Sequence, residues 1–143
     1  MTIQNSFCTF RVGNLHLGVE VLRVQEVIRA QKMTRIPGSS EVVRGLMNLR
    51  GQIVTALDLR RRLDLPETDT ADGQMNVVVR TSDGPVSLLV NEIGDVLVVD
   101  RDQFEPPPET LLGSTRDLIA GSYKLDGRLL LVLNLDAVMK VAA

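Results

Sequence analysis

Apolar and polar residues alternate in short runs along most of this chain, and glycine-containing turns separate the runs. In residues 15–19 every second side chain is apolar, which is the period of a strand with one buried face. Residues 20–28 instead have apolar positions three and four apart, so they predict a turn or two of helix passing into a strand, or an irregular crossover. Alternation bounded by turn residues predicts strands at 7–12, 15–19, 75–80, 86–90 and 93–99.

Turn-forming and polar residues mark the connections between these runs. Pro37 starts a loop over residues 37–40, and the sequence Ser-Asp-Gly-Pro at 82–85 predicts the turn of a hairpin. Residues 66–74 are polar and acidic and predict an exposed connector, whereas the three prolines at 106–108 must be extended. The apolar spacing at 135–141 predicts a short closing helix.

One hairpin pattern occurs twice. Residues 42–63 hold two apolar runs around a glycine turn, and residues 118–139 repeat the pattern 76 positions later, so that Gly45 matches Gly121 and Gly51 matches Gly127. A weaker repeat, offset by 71, sets Gly13 against Gly84. Two copies of about five short strands each predict an all-β fold of two small barrels side by side, with a few short helices.

Composition narrows the class of protein further. The 143 residues are 44% hydrophobic but include only three Phe, one Tyr and no Trp, so the core must be aliphatic. No apolar run approaches the roughly 18 residues of a membrane span, and the N-terminus lacks the features of a signal peptide. A single cysteine cannot form an internal disulfide. We therefore expect one domain over residues 1–143, located in a reducing cytoplasm.

Catalytic and metal-binding patterns are missing from the sequence. The only histidine, His16, falls in a predicted strand, and Cys8 lies between apolar neighbours where a buried thiol is inert. With one Cys and one His, no zinc or iron site of ordinary ligand count can be built. There is neither a phosphate-binding glycine loop nor a Gly-x-Ser-x-Gly elbow. We expect a protein that is not an enzyme and that needs no cofactor.

Charge is unevenly distributed between the two halves. Residues 1–62 carry ten Lys/Arg and four Asp/Glu, for +6, and residues 63–143 carry six and fourteen, for −8, which together give the net charge of −2. Opposite charges on the halves permit head-to-tail contact with copies or relatives, although an unevenly charged, solvated surface gives the same count. A basic patch could also bind nucleic acid, formed by Arg44, Arg50, Arg60, Arg61 and Arg62. The four aromatics and negative net charge argue against that alternative.

The turns of the two hairpin copies differ at one position. The second copy has Asp126-Gly127, a favoured pair for a tight hairpin because both residues tolerate positive φ. The first copy has Arg50 in place of the aspartate, and arginine gains nothing from that geometry. A fixed guanidinium can pair with a carboxylate, and Glu26 in the crossover is the predicted partner.

Extended stretches of the chain resemble the CheW family of chemotaxis coupling proteins. The resemblance covers Phe10, GVEVLRVQEVI at 18–28, RGLMNLRGQIV at 44–54, DLR at 58–60, VNEIGDV at 90–96, and residues 118–134. It implies a CheW-like fold of two interlocked five-stranded SH3-like barrels with internal duplication. It also implies an adaptor that joins the regulatory domain of the histidine kinase CheA to the cytoplasmic tips of chemoreceptors.

The resemblance also implies which residues touch each partner. In the family a receptor helix docks in a groove lined by the segments matching 21–28 and 45–50, which is the mode of an amphipathic helix in an apolar groove. By position, the expected receptor-binding residues are Val24, Glu26, Val27, Leu46, Asn48 and Arg50. Kinase contact is expected on the other barrel, at Val86, Ser87, Leu88 and Ile93. Contact with further CheW-like domains in rings, and a role in a non-chemotactic chemosensory pathway, remain open alternatives.

Overall fold

The structure, a computed structural model, describes residues 3–66 and 74–140. Within those ranges it contains ten strands and three short α-helices. The strands are β1 Gln4–Val12, β2 Leu15–Glu20, β3 Val24–Arg29, β4 Val43–Leu49, β5 Gln52–Asp58, β6 Met75–Thr81, β7 Gly84–Val90, β8 Glu92–Asp100, β9 Ile119–Leu125 and β10 Arg128–Leu133. The helices are α1 Leu59–Arg62, α2 Gly113–Asp117 and α3 Leu135–Met139, and 3₁₀ turns occupy Val21–Arg23 and Arg101–Gln103. None of the helices in these ranges is long and apolar enough to cross a membrane.

The strands form two five-stranded sheets that exchange strands between the sequence repeats. Sheet A has the order β8-β1-β2-β10-β9 and sheet B has the order β3-β6-β7-β5-β4. Each sheet therefore takes two strands from one copy and three from the other. The duplicated hairpin of the first half, β4–β5, completes the sheet of the second half's β6–β7. The predicted pair of interlocked five-stranded units is confirmed. The simpler expectation, in which each copy forms its own barrel beside the other, is wrong.

Both sheets are extended in the same way by a short segment that pairs with an outer strand, at Thr34 in sheet B and at Glu105 in sheet A. Each is called a crossing segment below. The backbone of Thr34 pairs with Leu46 on β4 through two hydrogen bonds of 2.8 Å, and Glu105 pairs with Ser122 on β9 through two of 2.9 Å. Thr34 and Glu105 differ by the 71-residue offset, and Leu46 and Ser122 by the 76-residue offset. The two offsets read from the sequence therefore correspond to equivalent positions in space.

The matched glycines are explained by this crossing segment. A Cβ on Gly45 would lie 2.7 Å from the carbonyl oxygen of Thr34, and one on Gly121 would lie 2.5 Å from that of Glu105. Real Cβ atoms do not approach backbone oxygens so closely, so any larger residue would force the crossing segment off the strand. Close backbone approach therefore requires glycine at both sites, and a positive φ of 155° at Gly45 and overlap with the Phe104 ring at Gly121 add to the requirement.

The core has one shared part and two small internal parts. Residues from both sheets, among them Phe10, Leu17, Leu88 and Leu131, pack into the largest cluster, which lies between the sheets. A second cluster belongs to sheet A and contains Phe7 and Tyr123, with Phe104 edge-on to Tyr123 at 5.4 Å between ring centroids. A third belongs to sheet B and is built from Met47, Val54 and Val78, packed by Ile28, Met33 and Leu49. The two interiors thus fill equivalent space with aromatic and with aliphatic side chains.

Helix caps follow the repeat as well. The Asp58 side chain accepts a hydrogen bond from the Arg61 amide at 3.3 Å at the start of α1, and Asn134 accepts one from Ala137 at 3.1 Å at the start of α3. Such caps satisfy amides that have no partner in the first turn. These residues, matched in sequence by the 76-residue offset, therefore share one structural role.

The predicted boundaries need small corrections. The turn between β6 and β7 contains only residues 82 and 83, because Gly84 and Pro85 already pair with β6. The predicted helix turn that passes into a strand at 20–28 is confirmed. Most of the predicted connector at 66–74, and the last residue of the helix predicted at 135–141, lie outside the described residues.

Candidate functional site

The tip of the β4–β5 hairpin has a backbone that favours glycine at both central positions. Arg50 has φ of 53° and Gly51 has φ of 85°. The Asn48 side chain stabilises the turn by accepting a hydrogen bond from the Gly51 amide at 2.8 Å. In the matching turn only Gly127 has positive φ, at 78°, so the expectation that Asp126 would use its tolerance of that region is wrong. The strained residue is the arginine.

The predicted pair between Arg50 and Glu26 is confirmed. Arg50 Nη1 donates to Glu26 Oε2 at 2.5 Å, and the arginine side chain is 76% exposed while that of Glu26 is only 16% exposed. The second carboxylate oxygen, Oε1, is buried and has no hydrogen-bond partner among the described residues. A guanidinium on a strained turn thus neutralises a nearly buried carboxylate, which would otherwise be costly to keep charged.

Strand register decides which of the predicted receptor-binding residues share a face. One row across sheet B runs through Val24, Val79, Val86, Thr55 and Leu46. Cross-strand neighbours point the same way, so Val24 and Leu46 share one face of the sheet, and on that face Val24, Val79 and Val86 pack into the shared core. The next row on that face begins at Val27, which pairs with Val77.

Glu26 lies on the opposite face of sheet B. Its row runs through Val78, Ser87, Ala56 and Gly45, all of which are buried. β3 and β4 are the two outer strands of the sheet. The pair with Arg50 therefore links opposite edges of the sheet, from the hairpin tip to the first strand of the order.

Exposure separates the predicted receptor-binding residues further. Val27 is 38% exposed and Asn48 and Arg50 are exposed, while Val24 and Leu46 are half-buried. Sequence reasoning missed Ile53, which is 61% exposed and pairs with Asn48 across the hairpin. The sequence feature that could have revealed Ile53 is an apolar residue close to a polar hairpin turn, where side chains are usually exposed.

A second apolar residue, Leu22, was also missed. It is 84% exposed in the 3₁₀ turn before β3. The spacing of three and four at 20–28 had pointed to a buried stripe, but the turn is too short to cover all of its apolar residues. Two large apolar side chains, Leu22 and Ile53, are therefore exposed to solvent near the segments expected to bind the receptor.

The predicted kinase-binding residues are not brought together. Ser87 and Leu88 are 0% exposed, so they cannot touch a partner while the fold is intact. The placement of 86–88 on the other barrel is also wrong, because β7 lies in sheet B beside β5 and β6. Of the four residues, only Val86 and Ile93 reach the surface in part, and they lie in different sheets.

Val86 and Ile93 line separate cavities. Val86 contributes to a largely apolar groove of about 950 Å³ between the loop at 36–40, β5 and the end of α3. Ile93 lines a smaller cavity of about 390 Å³ together with His16, Arg11 and Arg128. The first of these is large enough to receive side chains of a partner.

Among the described residues, the titratable side chains do not form a metal-binding cluster. Across 3–66 and 74–140, no group of three or more His, Cys, Asp or Glu side chains is placed to hold a metal ion. Burial raises the pKa of the Cys8 thiol, which disfavours the reactive thiolate. Burial, with a smaller contribution from Arg128, lowers the pKa of His16, whose Nδ1 is buried and has no partner among these residues.

Comparison with known proteins identifies the family. Residues 6–143 match the CheW-like domain, which is nearly the whole chain. The chain belongs to the CheW-like domain family. It is 32% identical over 130 residues to the chemotaxis protein CheW of Bacillus subtilis, covering 91% of this chain and 83% of that protein. It is 27% identical over 138 residues to CheW of Klebsiella aerogenes, covering 96% and 83%.

Two further similarities are to a solved structure and to a relative with a different name. The crystal structure of the scaffolding protein TtCheW from Thermoanaerobacter tengcongensis superimposes with a TM-score of 0.88 at 24% identity, covering 97% of this chain and 94% of that one. It confirms the CheW-like fold. Protein FrzA of Myxococcus xanthus is 42% identical over 64 residues, which is 45% of this chain and 39% of FrzA.

Proposed function

We propose that this CheW-like protein is a non-enzymatic signalling adaptor that couples the regulatory domain of the histidine kinase CheA to the cytoplasmic tips of chemoreceptors. Family membership and relatives named as chemotaxis proteins support this assignment. Its place of action would be the cytoplasm, at receptor arrays. The observation that carries the proposal is Arg50, because the protein keeps an arginine in a turn conformation that disfavours it and pairs it with Glu26.

The fold alone does not account for that arginine. The second hairpin copy closes through Asp126-Gly127, with positive φ at Gly127 alone, and needs no cation there. A non-glycine residue in the left-handed region costs roughly 1–2 kcal/mol. The ion pair, of which the arginine is exposed and Glu26 is largely buried, offsets a cost of that order, about 1 kcal/mol. Because the ion pair does little more than offset the backbone strain of Arg50, we infer a role in binding. In that role the exposed guanidinium contacts a polar group of the receptor helix.

The proposed receptor surface combines that cation with nearby apolar side chains. Val27, Leu46, Asn48 and Arg50 remain at the surface in whole or in part, and Ile53 extends the set along the hairpin. Val24 contributes at the half-buried end of its row, and Glu26 acts through Arg50. An amphipathic helix with apolar anchors one turn apart and a polar residue beside them would fit such a surface.

Kinase binding is proposed for a smaller set of residues than the sequence indicated. Val86, in the apolar groove of about 950 Å³, is the better candidate, and Ile93 is a separate one. Ser87 and Leu88 would contribute only by holding the strand in place, since both are fully buried.

Titration calorimetry with each purified partner tests the adaptor assignment. We expect binding to a CheA regulatory domain and, separately, to a helical hairpin taken from a receptor tip. Val86→Asp should weaken kinase binding and leave receptor binding unchanged, with Ile93→Asp as the second kinase variant. Absence of heat with both partners would remove the assignment.

A chemosensory pathway other than chemotaxis is the second candidate. We keep this candidate because one relative, FrzA, does not carry the name of a chemotaxis protein. The kinase and receptors encoded beside this protein's gene distinguish the two, since the adaptor should bind that kinase in preference to a kinase of the other pathway.

A further inference from the structure

One end of sheet B opens into a pocket whose charged lining residues are mostly arginines. The pocket has a volume of about 450 Å³ and lies beside the crossing segment that follows β3. Three arginines and one carboxylate line it, with two glutamines adding amide groups: Arg35, Arg44, Arg61, Glu41, Gln31 and Gln74. Its position differs from the hairpin tip that carries Arg50.

The duplication shows that the fold does not require these arginines. Arg44 is the extra residue of a β-bulge between Val43 and Gly45, and a bulge re-aims its side chain. The matching bulge in β9, 76 positions later, carries Ala120. The same backbone feature is therefore made without a charge.

The other two pocket arginines, Arg61 and Arg35, also match uncharged residues in the second copy. By the 76-residue offset Arg61 corresponds to Ala137, and by the 71-residue offset Arg35 corresponds to Pro106. All three basic positions around the pocket are uncharged in the second copy, although its strands take equivalent places in the other sheet. An arginine cluster that the fold does not need points to binding.

Most of this positive charge is not neutralised by the described residues. Arg61 lies 3.6 Å from Asp58 and 3.8 Å from Glu41. Arg35 and Arg44 are exposed and make no ion pair with a carboxylate in residues 3–66 or 74–140. Two guanidinium groups are therefore available to a ligand. Each can pair with a carboxylate through two parallel hydrogen bonds.

We propose that this pocket binds an acidic peptide segment of a partner protein, with Arg35 and Arg44 each pairing with a carboxylate and Arg61 adding charge at the wall. Concavity favours side chains that enter the pocket over a flat membrane surface. None of the described residues that line the pocket is aromatic, so they offer nucleic-acid bases nothing on which to stack. The site is independent of the adaptor function and uses none of its receptor-binding residues.

The test is fluorescence anisotropy of a labelled hexaglutamate peptide titrated with the full-length protein at low salt. A hexaglutamine peptide and a single-stranded oligothymidylate serve as the comparison probes. Arg44→Ala and Arg35→Ala remove pocket charges, and Arg44→Ala is conservative for the fold because the second copy already has Ala120 at that position. Arg128→Ala, which removes an exposed arginine from β10, is the matched control for net charge.

We expect hexaglutamate to bind more tightly than either other probe, and each pocket variant to weaken it about tenfold, as expected for loss of a charged hydrogen bond. Arg128→Ala should change affinity less than about twofold, since a distant exposed charge is screened. The proposal is overturned if hexaglutamate fails to bind, if oligothymidylate binds more tightly, or if Arg128→Ala weakens binding as much as Arg44→Ala. Calorimetry with the CheA domain and receptor hairpin is a separate readout, so either proposal can fail alone.

Discussion

Arg50 Nη1 lies 2.5 Å from Glu26 Oε2, and this contact joins the tip of one edge hairpin of sheet B to the strand at the opposite edge. The second half of the chain has no equivalent, because the matching residues are Asp126 and Leu97. Each of the two sheets nevertheless has five strands and is extended by a crossing segment. The pair is therefore a property of one half, added to a fold that forms without it.

Replacing Arg50 by glycine should leave the protein about as stable as it is. The substitution relieves left-handed strain of roughly 1–2 kcal/mol but loses the ion pair and leaves Glu26 without its cation. We expect the free energy of unfolding to stay within about 1 kcal/mol of the parent in urea titrations. A loss of more than about 2 kcal/mol would mean that the pair mainly stabilises the fold.

Alanine at either crossing glycine should be strongly destabilising. Gly45→Ala and Gly121→Ala each place a methyl group against a backbone carbonyl, at 2.7 Å and 2.5 Å respectively. The first also strains a residue with φ of 155°, and the second also overlaps the Phe104 ring. We expect a loss of about 2–4 kcal/mol in the free energy of unfolding, from overpacking against atoms that cannot move freely. Gly38→Ala is the control, because φ is +78° there and nothing lies within 4 Å. Its cost should be only about 1 kcal/mol.

The two hairpins offer a matched pair of surface substitutions. Ile53 and Leu129 occupy equivalent positions and are 61% and 40% exposed. Ile53→Asp should reduce affinity for the receptor hairpin by tenfold or more on the proposed surface, about 1.4 kcal/mol or above, because an apolar anchor becomes a charge. Leu129→Asp should leave that affinity unchanged in the same calorimetric titration. Equal losses would place the receptor contact elsewhere.

His16 should make stability depend on pH in the acidic range. Its pKa is lowered in the folded protein, mainly by burial and then by Arg128, so the unfolded chain binds the proton more readily. Stability should therefore fall as pH drops below about 6.5, and this contribution should be constant above that value. Arg11, Glu92 and Asp95 line the same cavity and add their own charges to its field.

The variant His16→Ser isolates this contribution, because Ser87 stands at the equivalent position of the second copy. Urea unfolding of both proteins between about pH 5 and pH 7.5 gives the difference in free energy, from which the shared carboxylate effects cancel. We expect the parent to lose stability relative to His16→Ser as the pH falls. A difference that stays constant over that range would show that His16 is not held neutral by the fold.

The sequence predicted the strands, the repeat and the Arg50–Glu26 pair because each depends on local patterning or on comparison of the two copies. It could not predict how the copies share strands, since alternation does not state which strands become neighbours. The family resemblance implies kinase contact on the other barrel, but residues 86–88 lie in sheet B, because β7 pairs with β5 and β6. Burial of Ser87 and Leu88 likewise depends on sheet packing rather than on residue type.

The most direct test of the receptor role is calorimetric titration of the receptor-tip hairpin into the parent protein and into Arg50→Gly. If the arginine is kept for binding, the variant will unfold like the parent but bind the receptor hairpin at least about tenfold more weakly, with unchanged affinity for the CheA domain. If the variant binds both partners like the parent, the exposed guanidinium is not part of the receptor contact, and the central claim is wrong.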